Sequence, residues 1–277
     1  YNNLTANWKG RTMYDFNYEK ATSVDGAAST LSGADDGKFM AGGMTLLPTL
    51  KQRLAMPSDV IDLGGIPELV GITVDASSVT IGAMTPHAVV HASADVQKAI
   101  PALAKLAGLI GDPMVRNRGT IGGSISNNDP AADYPSAVVG LGATVHTTKR
   151  EIAGDDFFTG MFETALEEDE IVTKVVFPIP EKAAYMKFPN PASRYAVVGT
   201  FVSQGPQGTR VAVTGAGPCV FRQSDMEAAL TSSFAPESVE NIKQDDEDMN
   251  SDIHASAEYR AHLVTIMAKR AVAEANG

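Results

Sequence analysis

Cysteine is almost missing from this sequence: Cys219 stands alone among 277 residues. One thiol closes no internal disulfide, and it holds neither a four-cysteine zinc site nor an iron–sulfur cluster by itself. Any such centre would therefore belong to another chain. Basic residues are also scarce, with 22 Lys and Arg against 33 Asp and Glu and a formal charge of −11. That balance disfavours the phosphate neutralisation on which nucleic-acid binding depends. Part of the charge is local, because Gln244-Asp245-Asp246-Glu247-Asp248 reads as a solvated surface loop. Long apolar runs are absent too: Gly, Pro or charge interrupts each one well before the roughly 20 residues that span a bilayer, so no transmembrane helix is expected.

What is present suits a globular protein. The apolar share of 44% over 277 residues supports one large domain or two to three smaller ones. Residues 1–12 are polar and have no apolar h-region, and Met13-Tyr14-Asp15-Phe16 follows like a translation start. They are expected to be an upstream extension, not a signal peptide.

From Met13 to about Pro67 the pattern reads strand, turn, helix, strand, helix, strand. Lys38–Ala41 is a short apolar strand broken by Gly42-Gly43. Leu46, Leu47, Leu50 and Leu54 then fall at helical spacing, which predicts a helix over Thr45–Ala55. Val60–Leu63 is the next strand. Val70–Val74 and Ser78–Gly82 alternate like paired strands. Helices are predicted over Pro86–Ser93 and Gln97–Leu109, then a glycine-rich loop over Gly111–Asp133, an apolar element at Ser136–Leu141, and strands at Ala143–Thr147 and Ile171–Phe177. Pro178-Ile179-Pro180 donates no ladder hydrogen bond at either proline, so a domain boundary is placed there. Beyond it come Tyr185–Phe188, strands at Tyr195–Ser203 and Arg210–Thr214, and a last helix, Ala257–Ala275. That helix is expected to bury Tyr259, Leu263, Ile266, Met267, Ala271 and Val272.

Two segments could hold a nucleotide. At Gly42-Gly43 a strand turns into a helix, and residues without Cβ let backbone N–H groups approach a diphosphate at the positive end of that helix. Such turns are common, so this signal alone is weak. The second segment runs from Arg116 through Arg118-Gly119-Thr120-Ile121-Gly122-Gly123-Ser124 to Asp129 and Asp133. Its glycines, hydroxyls and asparagines offer donors to phosphate oxygens, and its aspartates offer acceptors to ribose hydroxyls. No G-x-x-x-x-G-K-[ST] occurs, and Gly215-Ala216-Gly217-Pro218 does not continue as G-x-G-x-x-G. His87 and His91, four apart on a predicted helix, lack the Glu of H-E-x-x-H and read as two partly exposed histidines. Cys219 reads as a small buried residue in a strand-like run. No catalytic acid, base or nucleophile and no metal site is assigned.

Taken together, Ala41-Gly42-Gly43-Met44-Thr45-Leu46-Leu47-Pro48, Ile81-Gly82-Ala83-Met84-Thr85, the Arg116–Asp133 segment and Ser193-Arg194-Tyr195-Ala196-Val197-Val198 carry a resemblance. The chain resembles the FAD-binding medium subunits of molybdenum hydroxylases, the group of aerobic carbon monoxide dehydrogenase and xanthine dehydrogenase. The resemblance runs from Met13 to the last helix. It implies an α+β fold: a two-subdomain FAD-binding fold of the vanillyl-alcohol-oxidase and CO-dehydrogenase-flavoprotein type, plus a C-terminal α+β domain. On that basis residues 1–12 are the extension, 13–67 and 68–178 the two FAD subdomains, and 179–277 the C-terminal domain.

The resemblance implies FAD as this chain's cofactor. Ala41, Gly42, Gly43, Met44 and Thr45, with Gly119, Thr120, Ile121, Gly122, Gly123 and Ser124, would wrap the diphosphate and nearby flavin. Asp133 would lie near the adenosine ribose, Lys187 near the flavin and Tyr195 by the isoalloxazine, and Ile171 is counted among the cofactor-binding positions. Met44 stands where many relatives carry a polar residue, and Ser124 replaces a frequent asparagine. Implied partners are an iron–sulfur small subunit with 2Fe–2S clusters and a molybdopterin large subunit, in a dimer of heterotrimers. Electrons would leave to an external acceptor such as a quinone or NAD, in the cytoplasm or at the inner membrane face. Two other readings stay open at this point: a self-contained flavin oxidase or reductase, and a non-catalytic nucleotide-binding module. Gly43→Val and Gly122→Val are expected to abolish FAD retention with the fold largely kept, and Asp133→Ala to weaken binding modestly.

Overall fold

The computed structural model describes residues 13–277, so the expected extension over residues 1–12 lies outside the described residues. The chain forms two compact units, one ending at Pro67 and one spanning Glu68–Gly277.

In the first unit, β1 (Asn17–Lys20), α1 (Val24–Ser32), β2 (Gly37–Met40), α2 (Leu46–Lys51) and β3 (Asp59–Asp62) alternate. The strands form a parallel sheet in the order β1-β3-β2. Met40, Leu50 and Val60 make its core. The helix after Gly42-Gly43 is shorter than its leucine spacing predicts. Arg53 turns into the left-handed region at φ 59°, and the Leu54 N–H closes back on the Thr49 carbonyl at 3.1 Å. That ends the helix as a left-handed cap does, and it leaves Leu54 73% exposed instead of buried.

The second unit opens with the hairpin β4 (Ile72–Val74) and β5 (Ser78–Gly82). Six short helices follow: α3 (His87–Ala92), α4 (Ala94–Ala99), α5 (Pro101–Gly108), α6 (Pro113–Arg118), α7 (Ile121–Asn127) and α8 (Tyr134–Gly140). The single helix predicted over Gln97–Leu109 is divided by Pro101. Ile100, the residue before that proline, leaves the helical region (φ −139°, ψ 76°), and Pro101 restarts the helix at its first turn. Next come β6 (Thr144–Thr147), β7 (Glu151–Ala153), α9 (Gly154–Phe157), β8 (Phe158–Gly160), β9 (Glu163–Thr164) and β10 (Val172–Pro178). Strands β4-β5-β10-β6-β7 form one antiparallel sheet, and Pro178 closes β10 opposite Ser78.

After Pro178 the strands β11 (Lys182–Pro189), β12 (Ala196–Gly205), β13 (Gly208–Thr214) and β14 (Phe221–Arg222) build a four-stranded antiparallel sheet, followed by α10 (Ser224–Ser232) and α11 (Ala257–Ala275). Side chains on a strand alternate between faces. Tyr185 on β11 and Phe201 on β12 therefore join the core of the preceding sheet, while Ala184, Val198 and Val202 join a second core with Leu263, Val264, Met267, Ala271 and Val272 of α11. Tyr259 of α11 is 42% exposed, not buried, with its edge against the Phe188 ring. Among the described residues no helix is long and apolar enough to cross a membrane.

Candidate cofactor site

In the first unit, Met40 ends β2 and the chain bends through Ala41–Thr45 into α2. Gly43 takes φ 74°, a conformation favourable to glycine, and it is buried against Leu47 and Met40. Thr45 precedes α2 without a side-chain cap. Among the described residues no acceptor takes the backbone N–H of Gly42, Gly43, Met44 or Thr45. Four consecutive unused donors at a partly exposed bend are available to an anion. Met44 points outward at 37% exposure.

In the second unit the segment from Gly111 to Asp133 is not the irregular loop its composition suggests. Asp112 caps α6 by accepting from the Val115 N–H at 2.8 Å, and Pro113 follows at the first helical position. Thr120 caps α7 in the same way, taking the Gly123 N–H at 3.2 Å. The Gly122 N–H donates to the Ala83 carbonyl at 2.8 Å, and the Ile121 N–H to the Thr85 carbonyl at 3.4 Å. The first turn of α7 thus spends its amides on the chain itself. The Ser124 hydroxyl, at a half-buried position, has no hydrogen bond among the described residues.

Gly122 also differs from its expected role. A Cβ there would meet the Ala83 Cβ at 2.6 Å and its carbonyl oxygen at 2.8 Å. The glycine is needed for packing α7 onto the strand end, so a valine there strains the fold before it meets any ligand. A Cβ on Gly43 would press on Leu47 at 3.0 Å in addition to its strained φ. Gly119 is buried, and its carbonyl accepts the His87 N–H at 3.0 Å.

Asp133 and Lys187 meet each other. The Lys187 ammonium donates to Asp133 Oδ2 at 2.9 Å and to the Leu109 carbonyl at 3.1 Å, and the Tyr185 hydroxyl donates to Asp133 Oδ1 at 2.5 Å. The Lys187 and Asp133 side chains are 3% and 4% exposed. Burial pushes the Asp133 carboxyl up from its ordinary range, against the opposing pull of Lys187 and the Tyr185 hydroxyl. Sequence reasoning did not single out Tyr185, although a residue two before Lys187 on one strand shares its face.

Tyr195 is 44% exposed. Burial of its hydroxyl, with the charges of Asp129 and Asp133, raises its pKa. The neighbouring Ala196 N–H donates to the Ala131 carbonyl at 3.2 Å, which places Tyr195 beside the segment that ends in Asp133. Ile171 is buried, and both of its backbone groups pair with Thr148.

Of the two histidines, His91 is exposed and His87 is not. His87 is 4% exposed, its Nδ1 and the Tyr134 hydroxyl have no hydrogen-bond partner among the described residues, and the two rings lie 5.3 Å apart. Burial and the nearby Arg116 hold the His87 imidazole down at about 4. His91 Nδ1 lies 2.9 Å from the Ala104 carbonyl. Cys219 is neither in a strand nor fully buried: it lies in a bend, 3.6 Å from the Asn128 amide nitrogen.

Residues 14–180, more than half of the chain, match the family model described as the FAD binding domain in molybdopterin dehydrogenase. The chain belongs to that family. It is 36% identical to the nicotine 6-hydroxylase medium subunit of Paenarthrobacter nicotinovorans, over 93% of this chain and 96% of that one. It is 34% identical to the carbon monoxide dehydrogenase medium chain of Hydrogenophaga pseudoflava, over 93% and 96%. The solved carbon monoxide dehydrogenase from Hydrogenophaga pseudoflava, in a form lacking the Mo-pyranopterin moiety of its cofactor, superposes with a TM-score of 0.87 at 34% identity, covering 95% of this chain and 98% of that one. The α+β fold is that of these FAD-binding subunits, and the chain is the FAD-carrying medium subunit of a multi-subunit molybdenum hydroxylase. Each unit by itself offers groups of a kind such a cofactor needs: the first has free amides at Gly42–Thr45 that suit a diphosphate, and the second has the open Ser124 hydroxyl and the exposed Tyr195 ring, a donor and an aromatic surface.

Proposed function

We propose that this chain is the electron outlet of its complex. Electrons released when a substrate is oxidised at the molybdopterin of a large subunit pass through the 2Fe–2S clusters of a small subunit, reach this chain, and leave to an external acceptor. FAD, when bound, supplies the exchange between one-electron and two-electron carriers. The chain's own residues bind, orient and shield it. A single cysteine cannot hold an iron–sulfur cluster, so the relay centres are assigned to the partner.

The observation that carries this reading is the run of four unused N–H groups at Gly42–Thr45, which suits a diphosphate. We assign cofactor-binding positions to Ala41–Thr45 in the first unit and to Gly119–Ser124, Asp133, Ile171, Lys187 and Tyr195 in the second, with direct contacts at Gly42–Thr45, Ser124 and Tyr195 and support from the others. Residues 13–67 and 68–178 would be the two FAD subdomains and 179–277 the C-terminal domain. A dimer of heterotrimers, a cytoplasmic setting and a quinone or NAD as acceptor complete the proposal by resemblance.

The test is anaerobic reduction of the purified complex with the substrate of its molybdenum subunit. Flavin bleaching that requires the iron–sulfur subunit is the expected result. Bleaching of the isolated flavin-loaded chain by a small-molecule substrate would instead support a self-contained oxidase or reductase.

A further inference from the structure

By resemblance, Asp133 and Lys187 have separate duties, one near the adenosine ribose and one near the flavin. The structure joins them. Lys187 and Tyr185 lie two apart on β11, so both side chains leave the same face of the strand and reach Asp133, the residue just before α8. Gly199, paired across from Lys187 on β12, leaves room for the Tyr185 hydroxyl, which a Cβ at that position would strike. The Leu109 carbonyl at the end of α5 takes another Lys187 hydrogen.

Burying an ion pair costs several kcal/mol of desolvation, and apolar residues of similar volume commonly stabilise such a position as well or better. Stability alone is therefore a poor reason for this arrangement, while a fixed charge is a better one. The segment Asp129–Asp133 is stitched to the four-stranded sheet and its edge by bonds from Ala196, Thr214 and Gly215 to the carbonyls of Ala131, Pro130 and Ala132. These bonds hold the exposed Tyr195 beside the segment that ends in Asp133, close enough for the Asp133 charge to act on its hydroxyl.

We infer that Asp133 is a positioning residue: it fixes Lys187, and together they set the electrostatic potential felt by an aromatic cofactor ring lying on Tyr195. The inference rests on the proposed FAD reading. Reduction adds electron density to such a ring, so uncompensated positive charge nearby favours the reduced form and uncompensated negative charge opposes it.

The test is a redox titration of bound flavin in the holoenzyme for wild type, D133N, K187M, Y185F and the double variant D133N/K187M, each with its FAD-to-protein ratio measured. D133N leaves the lysine cation alone and is expected to shift the two-electron equilibrium about tenfold toward reduced flavin, about 30 mV upward. K187M shifts it the other way, the double variant returns toward wild type, and Y185F, which keeps both charges, moves it least. Where D133N does not fold, K187M and the double variant carry the test: a clear separation supports the inference, and coinciding potentials overturn it. Two-electron equilibria all within threefold of wild type in variants that retain FAD also overturn it. A wild-type holoenzyme without flavin in this chain would instead defeat the FAD reading itself.

Discussion

A Cβ on Gly122 would lie 2.6 Å from the Ala83 Cβ, closer than real side chains approach. Gly122→Val is accordingly expected to lower stability by at least about 1–3 kcal/mol through overpacking. Urea unfolding checks this, and an unchanged midpoint would contradict the packing described for α7. His87 gives a pH prediction. Its folded value of about 4 lies below the ordinary 6.5, so the unfolded state takes up the proton first as pH falls. Its contribution to stability is complete above about pH 6.5 and is lost as pH falls toward 4, by roughly 3 kcal/mol over that window. His87→Leu should flatten the slope of unfolding free energy against pH between those limits, and equal slopes would be contrary. Asp133→Ala leaves Lys187 buried without its carboxylate. About 3–5 kcal/mol of destabilisation is expected, not the modest change that a ribose contact alone would give, and the same unfolding measurement decides.

At the scale of elements, Thr120 secures the entry to α7 through the Gly123 N–H. Thr120→Ala is expected to cost about 1 kcal/mol and to speed hydrogen exchange at the first turn of α7, with Asp112-capped α6 unchanged. Uniform protection in both helices would refute this role. The short helices α6 and α7 were hard to read because Gly, Ser and Asn are weak helix formers. Their punctuation was nevertheless present: Asp112-Pro113 is an N-cap followed by proline, and Thr120 is a capping residue. What no local pattern reveals is that Ala83 and Thr85 offer their carbonyls to the glycine turn. The opposite failure occurred at Gln97–Leu109, where apolar periodicity concealed the break that Pro101 imposes. Longer strands such as β10, β12 and β13 lie where strands are expected from the sequence, whereas β7, β9 and β14, only two or three residues long, leave too little pattern to detect.

For the whole molecule, the family, the α+β class and FAD were legible because a few glycine motifs recur in order along nearly the full chain. The division of labour between the two glycine segments was not legible. In sequence one reads as a strand-to-helix turn and the other as a donor-rich loop, each offering amides to a diphosphate, yet the bend at Gly42–Thr45 keeps its amides free and α7 commits its own. Spacing cannot show which N–H groups are already taken. The Gly42–Thr45 amides are therefore the proposed grip on the FAD diphosphate. Titrating the flavin-free full-length chain with FAD and, separately, with riboflavin, which has the same ring but no diphosphate, tests that grip most directly. About two charge-assisted hydrogen bonds at roughly 1.5 kcal/mol each predict FAD binding about a hundredfold tighter. Equal affinity for the two, or no binding of FAD at all, would contradict the account.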